Sequence, residues 1–164
     1  GHRVSMRGVY PRNQDFNRLI KASEEVQAVI NYYGPSAFLQ MDNYPSKIVH
    51  NSPNSPESRL LGVPIRENQK LAKQASPLHH VTNNLPPFLH FHGTEDPLVP
   101  YNQSLILHRK LRSKGNQSTL ISVEKGGHSI PESFTSRWVI PFLDYHLHGI
   151  GDPPANGIIK VSLP

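Results

Sequence analysis

Cysteine is absent from the 164 residues of this chain, and methionine and tryptophan are scarce, with two copies and one copy. Without thiols the chain forms no disulfide bond, has no cysteine nucleophile and cannot build the cysteine-based sites that hold structural zinc. Long apolar runs are missing as well, because no stretch approaches the roughly 20 residues that a membrane-spanning helix requires. We therefore expect no membrane association.

Positive charge exceeds negative charge, with 17 Lys and Arg against 12 Asp and Glu and a pI near 9.6. The visible basic cluster comprises Arg109, Lys110, Arg112 and Lys114. These residues fall in the last turns of a predicted helix, where cations complement the helix dipole and solvate the outer face. No basic stripe with interleaved aromatic residues is present, so we expect no nucleic-acid partner.

The first half of the chain has few regular patterns. One β-prone run covers residues 26–33 and stops at a Gly-Pro pair. Residues 35–86 are rich in Pro, Ser and Asn, which indicates an insertion-like excursion. Within it, Pro56 and Gly62 bracket a brief helix, and a second helix is predicted from about Arg66 to Ala75.

The second half alternates strands and helices. The predicted elements are strand 87–92, helix 102–114, strand 118–124 and helix 133–148. This order implies parallel strands joined by right-handed crossovers, so the predicted fold class is α/β, with a parallel sheet and helices on its faces. We expect residues 1–164 to form a single domain, with residues 150–164 as a tail that is either a loose end or an edge strand.

Each of these two helices has a predicted core face. In the first, Ser104, Leu107 and Leu111 share one side. In the second, Ser133 is predicted to cap the amino end, and Pro141 to kink the helix. An aromatic stripe along the second helix is expected to pack on the sheet; its members are Phe134, Trp138, Phe142 and Tyr145.

Two polar residues follow the two predicted strands. Asp96 lies in the loop after strand 87–92, and His128 follows strand 118–124 and a Gly-Gly break. Because open α/β sheets place their sites at the carboxyl ends of strands, these residues are expected to meet. A carboxylate that orients an imidazole makes a general base. Both are also ordinary turn residues, and Glu95 is a competing acid that we expect to point away.

Four passages carry a family pattern: residues 26–35, 55–62, 92–100 and 126–128. With them, the stretch from Val26 to Gly149 resembles the C-terminal half of an α/β-hydrolase of the carboxylesterase type, in particular the bacterial feruloyl or acetyl esterase-like and lipase-like group. The resemblance implies hydrolysis of a small-molecule ester through an acyl-enzyme, without a cofactor. It assigns Asp96 as the acid and His128 as the general base of a catalytic triad.

A nucleophile elbow of the form Gly-x-Ser-x-Gly is absent from the 164 residues. Ser5 has no flanking glycines, and the serines of residues 46–58 lie among prolines. In the resembling family the elbow often continues as Gly-Gly-His, so Gly1-His2 is interpreted as its end. We therefore expect the chain to be a fragment that lacks about 100 to 150 preceding residues and that is inactive alone.

Ten histidines raise the question of a metal site. His90 and His92 share a strand face, and His146 and His148 lie at a helix end. Neither pair has a third ligand at a recognisable spacing, so we expect no metal. His92, at the strand end, is interpreted instead as orienting the loop after strand 87–92 that carries Asp96, which we call the acid loop.

Two alternative functions remain open. One is a prolyl-peptidase-like hydrolase, which would have a long repeat-bearing domain upstream. The other is a non-catalytic remnant or interaction protein that keeps the half-sheet without the chemistry. In every case, a sheet edge without its neighbouring strands is expected to pair with the missing N-terminal half or with another chain.

Overall fold

A four-stranded parallel sheet organises the chain in the computed structural model, which describes residues 25–160. Its strands are β1 (Val29–Tyr32), β2 (Phe88–Gly93), β3 (Ser118–Glu124) and β4 (Gly157–Lys160), and they lie side by side in that order. The predicted α/β class is confirmed. β3 has the predicted bounds, and β1 is shorter at both ends than residues 26–33.

The two faces of the sheet differ in polarity. Leu89 and Phe91 of β2 point into an apolar core. The alternate positions His90 and His92 are fully buried on the opposite face. The remaining buried members of the apolar core are Ile121, Val123, Ile130, Phe142 and Ile159. Because side chains alternate along a strand, β2 delivers hydrophobic residues to one helix layer and imidazoles to the other.

The imidazole-bearing face is covered by α3 (Asn102–Ser113), which contacts β2 and β3. Ser104, Leu107 and Leu111 are buried there, as the shared face predicts. Gly115 follows with a φ of 76°, a left-handed conformation that glycine adopts without strain.

The apolar face is covered by α4 (Glu132–Leu143), which passes through Pro141 and continues as a π-helical segment, Asp144–His148. The predicted cap is wrong: Pro131 occupies the N-cap position, and Ser133 is exposed inside the helix. The aromatic stripe is only partly right. Phe142 is buried and Trp138 packs on the core, but Phe134 and Tyr145 are exposed.

The outward turn of Phe134 has a simple geometric reason. The buried face of α4 runs through Thr135, Trp138 and Phe142, which are three and four residues apart. Thr135 is fully buried and its hydroxyl lies 3.0 Å from that of Tyr32. Two successive steps of four, from Phe134 to Trp138 and on to Phe142, add up to a drift of about 80° around a helix of 3.6 residues per turn, so Phe134 lies outside the buried face.

Residues 33–87 form the crossover from β1 to β2. They contain α1 (Pro56–Leu61), α2 (Gln69–Ala75) and two short 3₁₀ helices, Phe38–Asn43 and Pro77–His80. α1 ends at Leu61, and Gly62 follows it as the predicted left-handed stop. α2 begins at Gln69, later than Arg66, because the side chain of Asn68 accepts a hydrogen bond from the Leu71 amide and caps the helix there.

Of the two alternatives predicted for the tail, a loose end and an edge strand, the structure shows the edge strand. β4 pairs with β3, and the Oδ1 atom of Asn156 accepts a hydrogen bond from the Leu120 amide at 2.8 Å. Between residues 25 and 160, no helix has the length and apolar character needed to cross a bilayer.

Candidate active site

Asp96 and His128 meet at the carboxyl ends of β2 and β3. The Oδ2 atom of Asp96 lies 2.7 Å from Nδ1 of His128, a short charge-assisted hydrogen bond. The aspartate side chain is fully buried, and the histidine side chain is 32% exposed. The loops after two neighbouring parallel strands thus bring together residues that are 32 positions apart in sequence.

The loops that carry these two residues are tied to each other through their backbones. Thr94 N donates to Val123 O at 2.9 Å, and Glu95 N donates to Gly126 O at 3.0 Å. In return, the amide of Lys125 donates to the Thr94 hydroxyl at 2.9 Å. The two loops therefore form a single rigid edge above the sheet.

This close approach requires glycine at position 93. A Cβ atom there would collide with the carbonyl oxygens of Gly126 and Gly127. Gly126 has a similar constraint, since its own Cβ would lie 2.7 Å from Cγ1 of Val123. The left-handed residue of the turn is Lys125, with a φ of 56°, so these glycines permit close packing instead of a positive φ.

Each oxygen of the Asp96 carboxylate has two polar neighbours. Oδ1 accepts hydrogen bonds from the amides of Leu98 at 2.8 Å and Val99 at 2.9 Å, and Oδ2 accepts one from His128 and lies 3.3 Å from Nε2 of His92. Burial by itself raises the pKa of this carboxyl group. The hydrogen bonds from His92, Val99, His128 and Leu98 outweigh burial and lower the pKa to about 2. Asp96 is thus ionised at neutral pH.

The hydrogen bonds of His92 define its tautomer. Nε2 lies 2.9 Å from the carbonyl oxygen of Val99 and faces Asp96, and both partners are acceptors, so Nε2 carries the proton. Nδ1 therefore accepts the hydroxyl proton of Ser104 in α3, at 2.7 Å. His92 connects α3 to both ends of the acid loop.

His128 is arranged as a base. Its Nδ1–H donates to Asp96, which leaves the lone pair of Nε2 free to take a proton. Among residues 25–160, no hydrogen-bond partner lies at Nε2, and the side chain is partly exposed.

Tyr33 is a site residue that sequence reasoning missed. Its ring centroid lies 4.4 Å from that of His128, with the planes inclined by 48°. Tyr33 follows β1 directly, has a φ of 43°, and donates its amide to Phe91 O at 2.8 Å. Such a left-handed conformation is strained for a non-glycine residue. The sequence signal that could have identified Tyr33 was its position directly after a third predicted strand.

The remaining candidates lie away from this pair. Glu95 and Glu124 are exposed. His90 is buried between Asn31 and Ser118, with ring nitrogens 3.0 and 3.1 Å from their side chains. Burial and the neighbouring imidazoles lower the pKa of His90 to about 3. In the part of the chain that the structure describes, no group of three or more His, Asp or Glu residues could hold a metal ion.

Comparisons with known proteins place these features in a family. The family model BD-FAE matches residues 1–111. Esterase LipQ of Mycobacterium tuberculosis is 43% identical over 49 residues, which cover 30% of this chain and 12% of that protein. A truncated carbohydrate esterase from gut microbiota is 35% identical with a TM-score of 0.56, over 63% of this chain and 35% of the other. A bifunctional GH43-CE protein of Bacteroides eggerthii is 29% identical with a TM-score of 0.64, over 77% and 17%.

The parallel sheet and these relatives define an α/β-hydrolase of the esterase type, resembling the C-terminal part of that fold. Since the family model covers residues 1–111 of 164, the chain belongs to the BD-FAE family. It spans about a third or less of the length of the relatives it matches.

Proposed function

We propose that this chain supplies the acid and the general base of a serine carboxylesterase site, with Asp96 and His128 in those roles. The observation that carries the proposal is the 2.7 Å contact between Asp96 Oδ2 and His128 Nδ1, which leaves Nε2 free. Since no Gly-x-Ser-x-Gly elbow occurs in these residues, the attacking serine comes from a segment outside them.

The reaction proceeds through an acyl-enzyme. The serine oxygen attacks the ester carbonyl carbon while its proton passes to Nε2 of His128. The imidazolium then protonates the leaving alkoxide, which departs as the alcohol. Water attacks the acyl-enzyme, gives its proton to Nε2, and that proton returns to the serine as the carboxylic acid leaves. Asp96 stays ionised throughout and stabilises the imidazolium.

Substrates are proposed to be small-molecule esters, and carbohydrate esters are the first class to test. The support is the 35% identity to the truncated carbohydrate esterase over 63% of this chain. We further propose that the edge of β1 not bonded to β2 pairs with the strands that bring the serine, because an uncovered strand edge is a template for another strand.

The first experiment treats the 164-residue chain with a fluorophosphonate probe and with aryl and carbohydrate acetates. We expect neither serine labelling nor hydrolysis above background, because loss of the triad serine costs roughly a million-fold in turnover. Stoichiometric labelling of any serine in the chain would contradict the proposal.

The second experiment reads the coding sequence on either side of the 164 codons. We expect an in-frame elbow ahead of Gly1, and hydrolysis once that segment is expressed with the chain. In that preparation Asp96→Asn is expected to lower turnover by roughly 10⁴-fold, and Glu95→Gln, an exposed neighbour, to leave it unchanged. Equal activity of the two variants would exclude Asp96 as the acid.

A further inference from the structure

A second buried histidine–carboxylate pair lies in the crossover, outside the site described above. Nδ1 of His50 is 3.1 Å from Oε2 of Glu57, in the first turn of α1. Only 1% of His50 and 5% of Glu57 are exposed. Burying an ion pair is costly unless its other hydrogen bonds are satisfied, so the remaining contacts of this pair show what it does.

Those contacts lead to the acid loop. Nε2 of His50 lies 3.2 Å from the Ser46 hydroxyl oxygen. That hydroxyl is 3.2 Å from the carbonyl oxygen of Pro97 and 3.1 Å from that of Leu98. Lys47 N also donates to Pro97 O, at 2.7 Å. The backbone that holds Asp96 is therefore bonded on its outer side to the crossover.

The charge state of His50 sets the direction of these hydrogen bonds. Burial lowers the pKa of His50, but the hydrogen bond and charge of Glu57, the charge of Asp42 and the Leu98 carbonyl together raise it above its usual value. When His50 is protonated, it donates from Nδ1 to Glu57 and from Nε2 to Ser46. The hydroxyl proton of Ser46 is then left for the loop carbonyls, which can only accept.

We propose that Glu57 is a positioning residue for Asp96, acting through His50 and Ser46 on the Pro97–Leu98 backbone. The carbonyls of Pro97 and Leu98 are held from outside, while the amides of Leu98 and Val99 point inward at Oδ1 of Asp96. The catalytic meaning of this device rests on the proposed function, in which Asp96 orients His128.

The test compares Glu57→Gln with Glu67→Gln, an exposed control of the same chemistry. Glutamine keeps an oxygen that can accept from Nδ1 but removes the negative charge that favours protonation of His50, and with it donation from Nε2 to Ser46. Ser46→Ala cuts the same route and leaves the His50–Glu57 pair intact. Amide hydrogen exchange is measured by NMR at Leu98 and Val99, with the buried strand residue Phe91 as a reference for the intact fold.

We expect Glu57→Gln and Ser46→Ala to accelerate exchange at Leu98 and Val99 by roughly tenfold or more, with Phe91 unchanged. The low-field Nδ1 proton of His128 should also shift or broaden in both variants, which a contact that merely anchors the crossover would not cause. Glu67→Gln is expected to alter neither signal. If Glu57→Gln unfolds the chain, the exchange rates and the His128 signal of Ser46→Ala test the proposal instead.

Two further results separate the proposals. If the low-field His128 proton is absent from the spectrum of the unsubstituted chain, the Asp96–His128 hydrogen bond does not exist in solution. That result would contradict both the proposed function and this inference. The presence of that proton, unaffected by Glu57→Gln and Ser46→Ala and with unchanged exchange in the loop, would overturn only the role of Glu57.

Discussion

Nε2 of His92 and Oδ2 of Asp96 lie 3.3 Å apart, and neither side chain has any exposed surface. The histidine is the penultimate residue of β2 and the aspartate lies four residues later, so the strand itself supplies a hydrogen-bond donor to the acid that follows it. This donor leads the hydrogen bonds that overcome the effect of burial on the pKa of Asp96.

Replacement of His92 by Phe is expected to raise the pKa of Asp96 from about 2 towards its ordinary value of 3.8. A carboxyl group with a depressed folded-state pKa contributes stability above pH 3.8, and loses it as pH falls through 2. At neutral pH that contribution is about 2.5 kcal/mol at most, and the variant loses part of it. Carbon-detected NMR titration of Asp96 measures the change, with Glu95→Gln as control. An unchanged Asp96 pKa would show that His92 has no influence on the acid.

His90 also predicts a loss of stability with acid, but at a higher pH than Asp96. Its folded-state pKa of about 3 lies below 6.5, so the unfolded chain binds the proton more readily and stability falls as pH drops from 6.5 towards 3. By pH 5 the expected loss is about 2 kcal/mol. Urea unfolding at pH 7 and pH 5 should show this difference in the unsubstituted chain and a much smaller one in His90→Gln. An identical pH dependence in both proteins would refute the assignment.

Gly93→Ala is expected to separate the acid and histidine loops. The added methyl group meets the carbonyl oxygens of Gly126 and Gly127, and overpacking of this kind costs about 1–3 kcal/mol. Loss of the low-field His128 proton in NMR spectra would accompany the loss of stability. Gly127→Ala is the matched control, because its Cβ has only an ordinary contact, 4.0 Å from Cδ of Pro97. Equal effects of the two substitutions would exclude close loop packing as the cause.

The ring of Tyr33 is expected to stabilise the position of the His128 imidazole. A double-mutant cycle with Tyr33→Ala and His128→Ala, measured by urea unfolding, should give a coupling free energy of about 0.5–1.5 kcal/mol. Tyr33→Phe keeps the ring and should keep the coupling. A coupling near zero would show that the 4.4 Å contact between the rings has no energetic weight.

The contact between Asp96 and His128 was predictable from sequence because each follows a strand of a βαβ pattern, and parallel strands end at one edge of the sheet. Tyr33 also lies at the carboxyl end of a parallel strand, but the Tyr-Gly-Pro sequence there indicates only that the strand ends. The left-handed conformation of Lys125 was hidden by the two glycines after it, of which Gly126 is needed for close packing against Val123.

The link from Ser46 through His50 to Glu57 was beyond sequence reasoning for a different reason. Its members lie in a proline-rich crossover whose sequence has no helical or strand periodicity. Only tertiary packing places them beside Pro97 and Leu98. Ser133 failed as a cap because Pro131 already provides the extended conformation that starts α4. At both places the tertiary structure, and not the local sequence preference, determines which residues interact.

The hydrogen bonds between the acid loop and the histidine loop have a consequence for engineering. Thr94, Glu95 and Lys125 connect two segments that are about 30 residues apart, so a graft of one segment from a homologous protein disturbs hydrogen bonds made by the other. The unit of exchange between homologous chains is therefore the pair of loops together with the helix and strand between them, residues 93–128, and crossover points inside that block should yield few folded chimeras.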